Sequence, residues 1–227
     1  MAKRPILVET GPAFATAALV HRVAKPKIPG PHPTVVMLHG HWGNEDAMWI
    51  FARTLPPDWL VVAPRAIVPI QEKSYTWHPR SENEWPTLTQ FDDAVDIVTR
   101  FIHTLPELYE ADLDQLYLMG FSQGAAVSFA IAIHHQGWIK GIASLVGFMP
   151  FAVEEAIEQA ALRNSPVFMV AGKQDERIPL PIAQGCAEAV REMGAVLEYR
   201  EYPTGHKLNR DGMQQLKSWW TDQALFQ

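Results

Sequence analysis

The feature that most constrains the fold is a series of short apolar segments that alternate with amphipathic ones from residue 34 onward. The apolar segments cover residues 34–39, 59–64, 115–120, 139–149, 166–172 and 195–202. Short runs rich in β-branched and aromatic residues are typical of buried strands. Strands that are apolar throughout and separated by helices predict an α/β fold, with a mostly parallel central sheet and helices on both faces. In such sheets, active groups gather at the carboxyl ends of the strands.

The segments between these strands predict helices. In residues 88–105, apolar side chains recur at steps of three and four and so share one helical face. Further helices are predicted at 44–55, 122–137, 153–162, 180–193 and 209–222. The first 23 residues predict one or two antiparallel strands at an edge, and residues 65–87 predict a long loop. Because the chain shows no internal repeat and no linker, we predict one domain over residues 1–227.

Composition and charge narrow the classes of partner. The 19 Lys and Arg residues against 25 Asp and Glu residues give a net charge of −6, which argues against nucleic acid as the main partner. No apolar run is long enough to cross a bilayer and no basic amphipathic helix is evident, so we expect no stable membrane association. The one cysteine, Cys186, lies in a predicted amphipathic helix and is expected to be a half-buried structural residue, and a single cysteine needs no oxidising compartment. We expect a cytoplasmic protein, and a homodimer is compatible with the sequence.

The strongest chemical signal is the pentapeptide Gly-Phe-Ser-Gln-Gly at residues 120–124. A predicted strand enters it and a predicted helix leaves it, as in the G-x-S-x-G turn that exposes a nucleophilic serine. Glycine suits both flanking positions, because side chains there would crowd such a sharp turn. Ser122 is therefore the predicted nucleophile. The competing interpretation is a glycine-rich helix start with a capping serine.

A serine nucleophile needs a base, and the base needs an orienting acid. His206 lies in a turn between the last predicted strand and the last predicted helix, at the same sheet edge as Ser122. Asp175 follows another predicted strand, between the serine and the histidine in chain order, which is the order expected for this turn. Glu176 is the competing acid.

An oxyanion hole requires backbone N–H donors near the nucleophile. One predicted donor is the amide of Gln123, which follows the serine. The other belongs to the glycine-bearing loop at residues 38–45, where His41 is the first choice and Trp42 the second. The His-Gly-His pattern of this loop has no further ligand at suitable spacing, so we predict no metal site.

These motifs also resemble those of a known family. LHGHWGNED, YTWHP, GFSQGA, GFMP, GKQDERIP and YPTGHKL occur in the order found in the phospholipase/carboxylesterase family, which includes acyl-protein thioesterases and bacterial carboxylesterases. The resemblance covers residues 34–222. It implies the α/β-hydrolase fold, with Ser122, Asp175 and His206 as the triad and the amides of His41 and Gln123 as the oxyanion hole.

The resemblance extends to the substrate pocket. Trp77 matches a tryptophan at the family's pocket, and we expect Trp42 and Trp77 to line it here. The first loop departs from the H-G-x-G-D pattern of the thioesterases, so the bacterial carboxylesterase branch fits better.

We therefore expect a serine hydrolase that cleaves carboxylic esters, or thioesters, of small to medium acyl chains through an acyl-enzyme. The partner would be a small-molecule ester, and no cofactor is needed. The competing hypothesis is a non-catalytic α/β-hydrolase scaffold that binds a small molecule. Dienelactone hydrolases are neighbours on this fold, but they use a cysteine where this chain has Ser122.

Overall fold

The central feature of the fold is an eight-stranded sheet. The computed structural model describes residues 5–79 and 85–225. The strands are β1 (Ile6–Val8), β2 (His21–Ala24), β3 (His32–Leu38), β4 (Leu60–Pro64), β5 (Val68–Gln71), β6 (Ser74–Thr76), β7 (Ala111–Phe121), β8 (Gly141–Leu145), β9 (Pro166–Gly172) and β10 (Val196–Tyr202). The large sheet has the order β1-β2-β4-β3-β7-β8-β9-β10, and β5 pairs with β6 in a separate hairpin.

Helices connect most of these strands. They are α1 (Gly11–Ala17), α2 (Asp92–Tyr109), α3 (Gln123–His134), α4 (Glu154–Glu158), α5 (Leu180–Glu192) and α6 (Arg210–Leu225). Short 3₁₀ helices lie at Ala47–Ile50, Ala52–Thr54 and Leu88–Phe91. Among the described residues, no helix is both long and apolar enough to cross a membrane.

The pairing confirms the predicted α/β fold class. The six neighbouring strands β4, β3, β7, β8, β9 and β10 are parallel, whereas β2 pairs antiparallel with both β4 and the edge strand β1. Since parallel strands end at one common edge, the turns after β3, β7, β9 and β10 lie on the same side of the sheet. These are the turns that carry the predicted site residues.

Two apolar layers bury the faces of the sheet. Along β3, Val36 and Leu38 pack under α1, α2, α3 and α5, while Val35 and Met37 pack on the opposite face against α6 and the first 3₁₀ helices. Successive side chains of a strand point to opposite faces, so a strand covered on both sides must be apolar at every position. This explains why the strands appear as unbroken apolar runs.

Three elements differ from the prediction. Residues 44–55 form two 3₁₀ helices instead of one α-helix, and the Glu45 carbonyl accepts the indole N–H of Trp49 at 2.9 Å. In an α-helix that carbonyl would accept the Trp49 backbone amide, which here donates to Asp46 instead. The edge region contains the unpredicted helix α1. The predicted loop at 65–87 contains the β5–β6 hairpin, and its residues 80–84 lie outside the described residues.

Two glycines allow α3 to start close to the sheet. A Cβ at Gly120 would lie 2.3 Å from the backbone nitrogen of Ala125, and one at Gly124 would lie 2.0 Å from the carbonyl oxygen of Leu38. No side chain fits at either distance. The turn between β7 and α3 therefore requires glycine at both positions, as the sequence pattern predicts.

This packing yields a matched pair of stability predictions. We expect Gly124→Ala to lower the free energy of unfolding by about 3 kcal/mol or more, because the new methyl group meets backbone that cannot move aside. Gly185→Ala is the control, since its methyl group would meet nothing within 4 Å in α5. It should raise that free energy by about 0.5–1 kcal/mol through helix propensity. Urea unfolding measures both, and equal stability of Gly124→Ala and the native chain would contradict the packing described.

Candidate active site

Ser122, the predicted nucleophile, occupies the strained turn between β7 and α3, which is called the nucleophile turn below. Its backbone has φ 53° and ψ −118°, a conformation that residues with a side chain rarely adopt. The amide donates to the Leu145 carbonyl at 3.1 Å, and the carbonyl accepts the Ala125 amide at 3.0 Å. These bonds hold the serine at the carboxyl edge of the sheet, where it lines a pocket.

Asp175 and His206 form a buried pair. Asp175 Oδ2 lies 2.7 Å from His206 Nδ1, and the two side chains are 1% and 13% exposed. Asp175 Oδ1 accepts the amides of Arg177 and Ile178 at 2.9 and 3.0 Å. The carboxylate therefore has partners on both oxygens, and Nδ1 of the imidazole faces it. Glu176, the competing acid, is exposed.

The turns that carry this pair are joined through their backbones. The Lys173 amide donates to Tyr202 at 2.8 Å, and the Gln174 amide donates to Thr204 at 2.9 Å. The close approach depends on Gly172, where a Cβ would lie 2.4 Å from the Gly205 carbonyl oxygen. The two turns thus form one unit.

An aromatic contact places this unit beside the nucleophile turn. The ring of His206 packs edge-on against Phe121, the neighbour of Ser122, with centroids 5.1 Å apart. Ser122 and His206 line the same pocket. The structure thus brings the three residues predicted for a triad to one place.

The loop after β3 lies against the nucleophile turn. A Cβ at Gly40 would be 3.1 Å from Cβ of Ser122. His41 and Trp42 follow and both line the pocket. The Trp42 amide donates to the Tyr75 carbonyl at 3.0 Å, so the second-choice oxyanion donor is already engaged.

His39 holds the start of this loop in a neutral state. Its Nε2 accepts the Ala66 amide at 3.0 Å, so Nδ1 carries the proton and donates to the Gly40 carbonyl at 2.7 Å. Burial lowers the pKa of His39 to about 4, which keeps the ring neutral at physiological pH. These contacts give His39 a role in shaping the turn at the end of β3.

The Gln123 side chain ties the nucleophile turn to the segment after the β5–β6 hairpin. Its Oε1 accepts the Thr76 hydroxyl at 2.8 Å and the Trp77 amide at 3.0 Å, while Nε2 donates to the His78 carbonyl at 2.9 Å. Since a backbone amide can only donate, the Trp77 contact fixes which end of the Gln123 amide is the oxygen.

Thr76 joins this network to the loop after β3, which carries His41. Its hydroxyl lies within hydrogen-bond distance of Gln123 Oε1, the His78 carbonyl and His41 Nδ1, the last at 2.9 Å. The first two are acceptors, and a hydroxyl has one proton to give. His41 must therefore donate from Nδ1. One hydroxyl thus links the side chains of the two residues whose amides are the predicted oxyanion donors.

The pocket has a volume of about 440 Å³, which is in the range of small-molecule sites. Its walls are mainly apolar, with polar groups concentrated around the nucleophile. The apolar lining consists of Trp42, Trp85, Pro86, Phe121, Phe148 and Ile178. The polar lining consists of His41, His78, Gln90, Ser122, Gln123, Arg177 and His206.

One predicted pocket residue is corrected. Trp77 is only 2% exposed and does not line the pocket, and its indole N–H donates to the His39 carbonyl at 2.8 Å. Its neighbour His78 lines the pocket instead. The prediction for Trp42 agrees with the structure, since that side chain lines the pocket and is 57% exposed.

Several pocket residues escaped the sequence analysis. His78, Gln90 and Arg177 were not predicted to line the pocket, although His78 lies in the segment YTWHP and Arg177 lies two positions after the predicted acid. Within residues 5–79 and 85–225, no group of three His, Cys, Asp or Glu side chains could hold a metal ion. Independence from metals and cofactors stays a prediction.

Comparison with known proteins agrees with the motifs. The model of the phospholipase/carboxylesterase family matches residues 20–222. The chain belongs to this family. Membership of a family of carboxylic ester hydrolases, predicted from the motifs, is thereby confirmed.

Individual relatives are distant. The chain is 24% identical to the putative hydrolase MhqD of Bacillus subtilis over 83% of this chain and 92% of that protein. It is 24% identical to the carboxylesterase SOBER1 of Arabidopsis thaliana, over only 47% of each chain. A carboxylesterase from Mesorhizobium loti shares the fold with a TM-score of 0.79 at 20% identity, covering 96% of this chain and 98% of that one. The last comparison confirms the α/β-hydrolase fold.

Proposed function

We propose that this family member is a serine carboxylesterase in which Ser122, His206 and Asp175 form the catalytic triad. The observation that carries the proposal is the Asp175–His206 pair, joined at 2.7 Å, whose histidine lines the same pocket as a serine with a strained backbone. Strain of this kind is retained where surrounding structure enforces it, and it clusters at active sites. Non-catalytic binding of a small molecule would need neither the pair nor the strain.

In this proposal each residue of the triad has its own role. With its Nδ1 proton directed at Asp175, a neutral His206 can accept the Ser122 proton at Nε2. The serine oxygen then bonds to the ester carbonyl carbon, and the carbonyl electron pair moves to oxygen. Collapse of this intermediate breaks the bond to the alcohol, which leaves with the proton from Nε2. Water, deprotonated by the same nitrogen, attacks the acyl-enzyme and releases the acid and the free serine.

The oxyanion would be bound by the amides of Gln123 and His41. Gln123 opens α3, where unpaired amides and the helix dipole favour negative charge. On the opposite side, His41 is preferred over Trp42, because the Trp42 amide donates to Tyr75. Donors fixed before the reaction stabilise the developing charge without reorganisation.

Pocket size favours a small or medium acyl ester, with thioesters as close chemical relatives. A volume of about 440 Å³ with apolar walls suits such a substrate better than a bulk lipid. We place the enzyme in the cytoplasm, since its one thiol, Cys186, is buried and forms no disulfide. On the charge and hydropathy arguments above, the proposal includes neither stable membrane association nor nucleic-acid binding. A homodimer is compatible with it.

The assignment of Asp175 as the acid can be tested by substituting Asp175 and its neighbour Glu176 in turn. We expect Asp175→Asn to lower kcat/KM by about 10³–10⁴-fold, because the amide would hold His206 in the wrong tautomer. Glu176→Gln removes the same charge one residue away on an exposed side chain and should stay within about twofold of the native enzyme. Hydrolysis of p-nitrophenyl butyrate measures both. A larger loss in Glu176→Gln would reverse the assignment.

Thr76 offers a test of the oxyanion hole. Thr76→Val removes the hydroxyl that joins His41 to Gln123 while keeping the shape of the side chain. We expect kcat to fall about tenfold to a hundredfold with little change in KM, because displaced donors weaken the stabilisation of the transition state but not the binding of the substrate. Thr76→Ser restores the hydroxyl and should recover most of the rate. If both variants keep the native kcat, the network does not position the donors.

Acyl length provides a test of the substrate class. In a series of p-nitrophenyl esters from acetate to palmitate, kcat/KM should rise about fourfold per methylene, near 0.8 kcal/mol each, until the pocket wall is met. We expect a maximum at medium length and a decline beyond it. An optimum at palmitate, with a rate jump when the substrate forms micelles, would identify a lipase instead.

A further inference from the structure

The charge of the pocket is opposite to that of the chain. The protein carries a net charge of −6, with 25 acidic residues against 19 Lys and Arg residues. Yet the described pocket lining contains an arginine and three histidines and includes no carboxylate. Asp175 lies behind His206 with its side chain 1% exposed, and its carboxylate already accepts three hydrogen bonds. A substrate in this pocket therefore meets donors and one fixed positive charge.

That fixed charge belongs to Arg177. Its backbone is anchored, because its amide donates to Asp175 Oδ1 at 2.9 Å, so the residue is held next to the proposed triad. Its side chain is exposed and lines the pocket. Within the part of the chain that the structure describes, its guanidinium forms no ion pair, whereas Arg22, Arg65 and Arg200 are each paired with a carboxylate.

The backbone adds to the positive potential. The helix α3, of 12 residues, begins at the pocket with Gln123, and α5, of 13 residues, begins two residues after the pocket residue Ile178. Amino termini of helices carry partial positive charge. The oxyanion hole would use the first of these for the reacting carbonyl, which leaves Arg177 without a role in the chemistry itself.

We propose that the pocket selects esters that carry a carboxylate elsewhere in the molecule, and that Arg177 binds that carboxylate. This inference rests on the proposed esterase function. A guanidinium binds a carboxylate through two parallel hydrogen bonds, and one arginine matches one negative charge. The aliphatic part of such a substrate would lie against Phe121, Phe148 and Ile178. Arg177 is thus a residue for specificity, distinct from those that move protons.

The test compares charged and neutral esters of the same length. The substrates are the monoethyl esters of succinic, glutaric and adipic acid, each matched with the ethyl ester in which a primary amide replaces the free carboxylate. Released ethanol gives kcat/KM for the native enzyme and for Arg177→Gln, Arg177→Lys and Arg163→Gln. Arg163 is exposed and precedes β9, at the sheet edge opposite the pocket, so its variant removes the same charge far from the site.

We expect the native enzyme to prefer the carboxylate ester at one or more lengths. In Arg177→Gln the ratio of kcat/KM for carboxylate over amide should fall about tenfold, mainly through KM, because a charge-assisted bond is lost. Arg177→Lys should keep part of the preference, and Arg163→Gln should keep all of it.

Two results would overturn the inference. The native enzyme could show no preference for the carboxylate ester at any of the three lengths. Alternatively, the ratio could be the same in the native enzyme and Arg177→Gln at all three lengths, and an equal loss of activity on both esters would then mean that Arg177 only balances the charge of Asp175. Hydrolysis of p-nitrophenyl butyrate separates these from a failure of the esterase itself. If the native enzyme cleaves that ester but no ethyl ester, the substrate class is wrong. If it cleaves none, the proposed function fails and this inference with it.

Discussion

The structure around the site depends on the backbone of Ser122, which is held at φ 53° in a turn that leaves no room for a side chain at Gly120 or Gly124. Of these two glycines, Gly124 has the larger effect on the site. Its missing side chain lets α3 approach the carbonyl of Leu38 at the end of β3. The nucleophile turn and the loop that follows β3 are therefore packed directly on each other. Strain at the serine is balanced by this packing, because the sheet and α3 are both fixed by a buried core.

Around that turn, hydrogen bonds of buried side chains fix the positions of the neighbouring loops. Gln123 has its backbone at the start of α3 and its side chain bonded to the segment at residues 76–78. Thr76 continues the connection to His41, across the pocket. Polar groups buried this way are costly unless they are satisfied, so a complete network specifies one arrangement. Two loops far apart in the sequence are thereby coupled to the serine.

The sequence predicts the elements whose signals are local. Residues 166–172 form β9 with the predicted bounds, because a proline marks the beginning of the apolar run and a glycine marks its end. The residues proposed for the triad could be placed together for a similar reason, since parallel strands must end at one edge. The segment at 44–55 shows the opposite case. Its helical pattern is real, but the backbone amides of Trp49 and Phe51 donate to carbonyls three residues back, and no pattern of apolar residues distinguishes this from an α-helix.

Pocket walls were harder to predict than catalytic positions. Trp77 and His78 are neighbours, and which of them faces the pocket is decided by contacts with Gln123 and the His39 carbonyl, 46 and 38 residues from Trp77 in the chain. Arg177 could be placed near the acid from its position in the sequence. Its lack of a described ionic partner, however, became visible only when the surrounding side chains were in place.

The central claim is that Ser122 becomes covalently modified in a pocket activated by His206 and Asp175. Mass spectrometry of the intact chain after treatment with a fluorophosphonate, followed by mapping of the modified peptide, tests it directly. The account predicts one adduct per chain, located on Ser122, with both labelling and ester hydrolysis lost in Ser122→Ala while the fold is retained. An adduct on another residue, or a Ser122→Ala variant that still hydrolyses esters at the native rate, would contradict it.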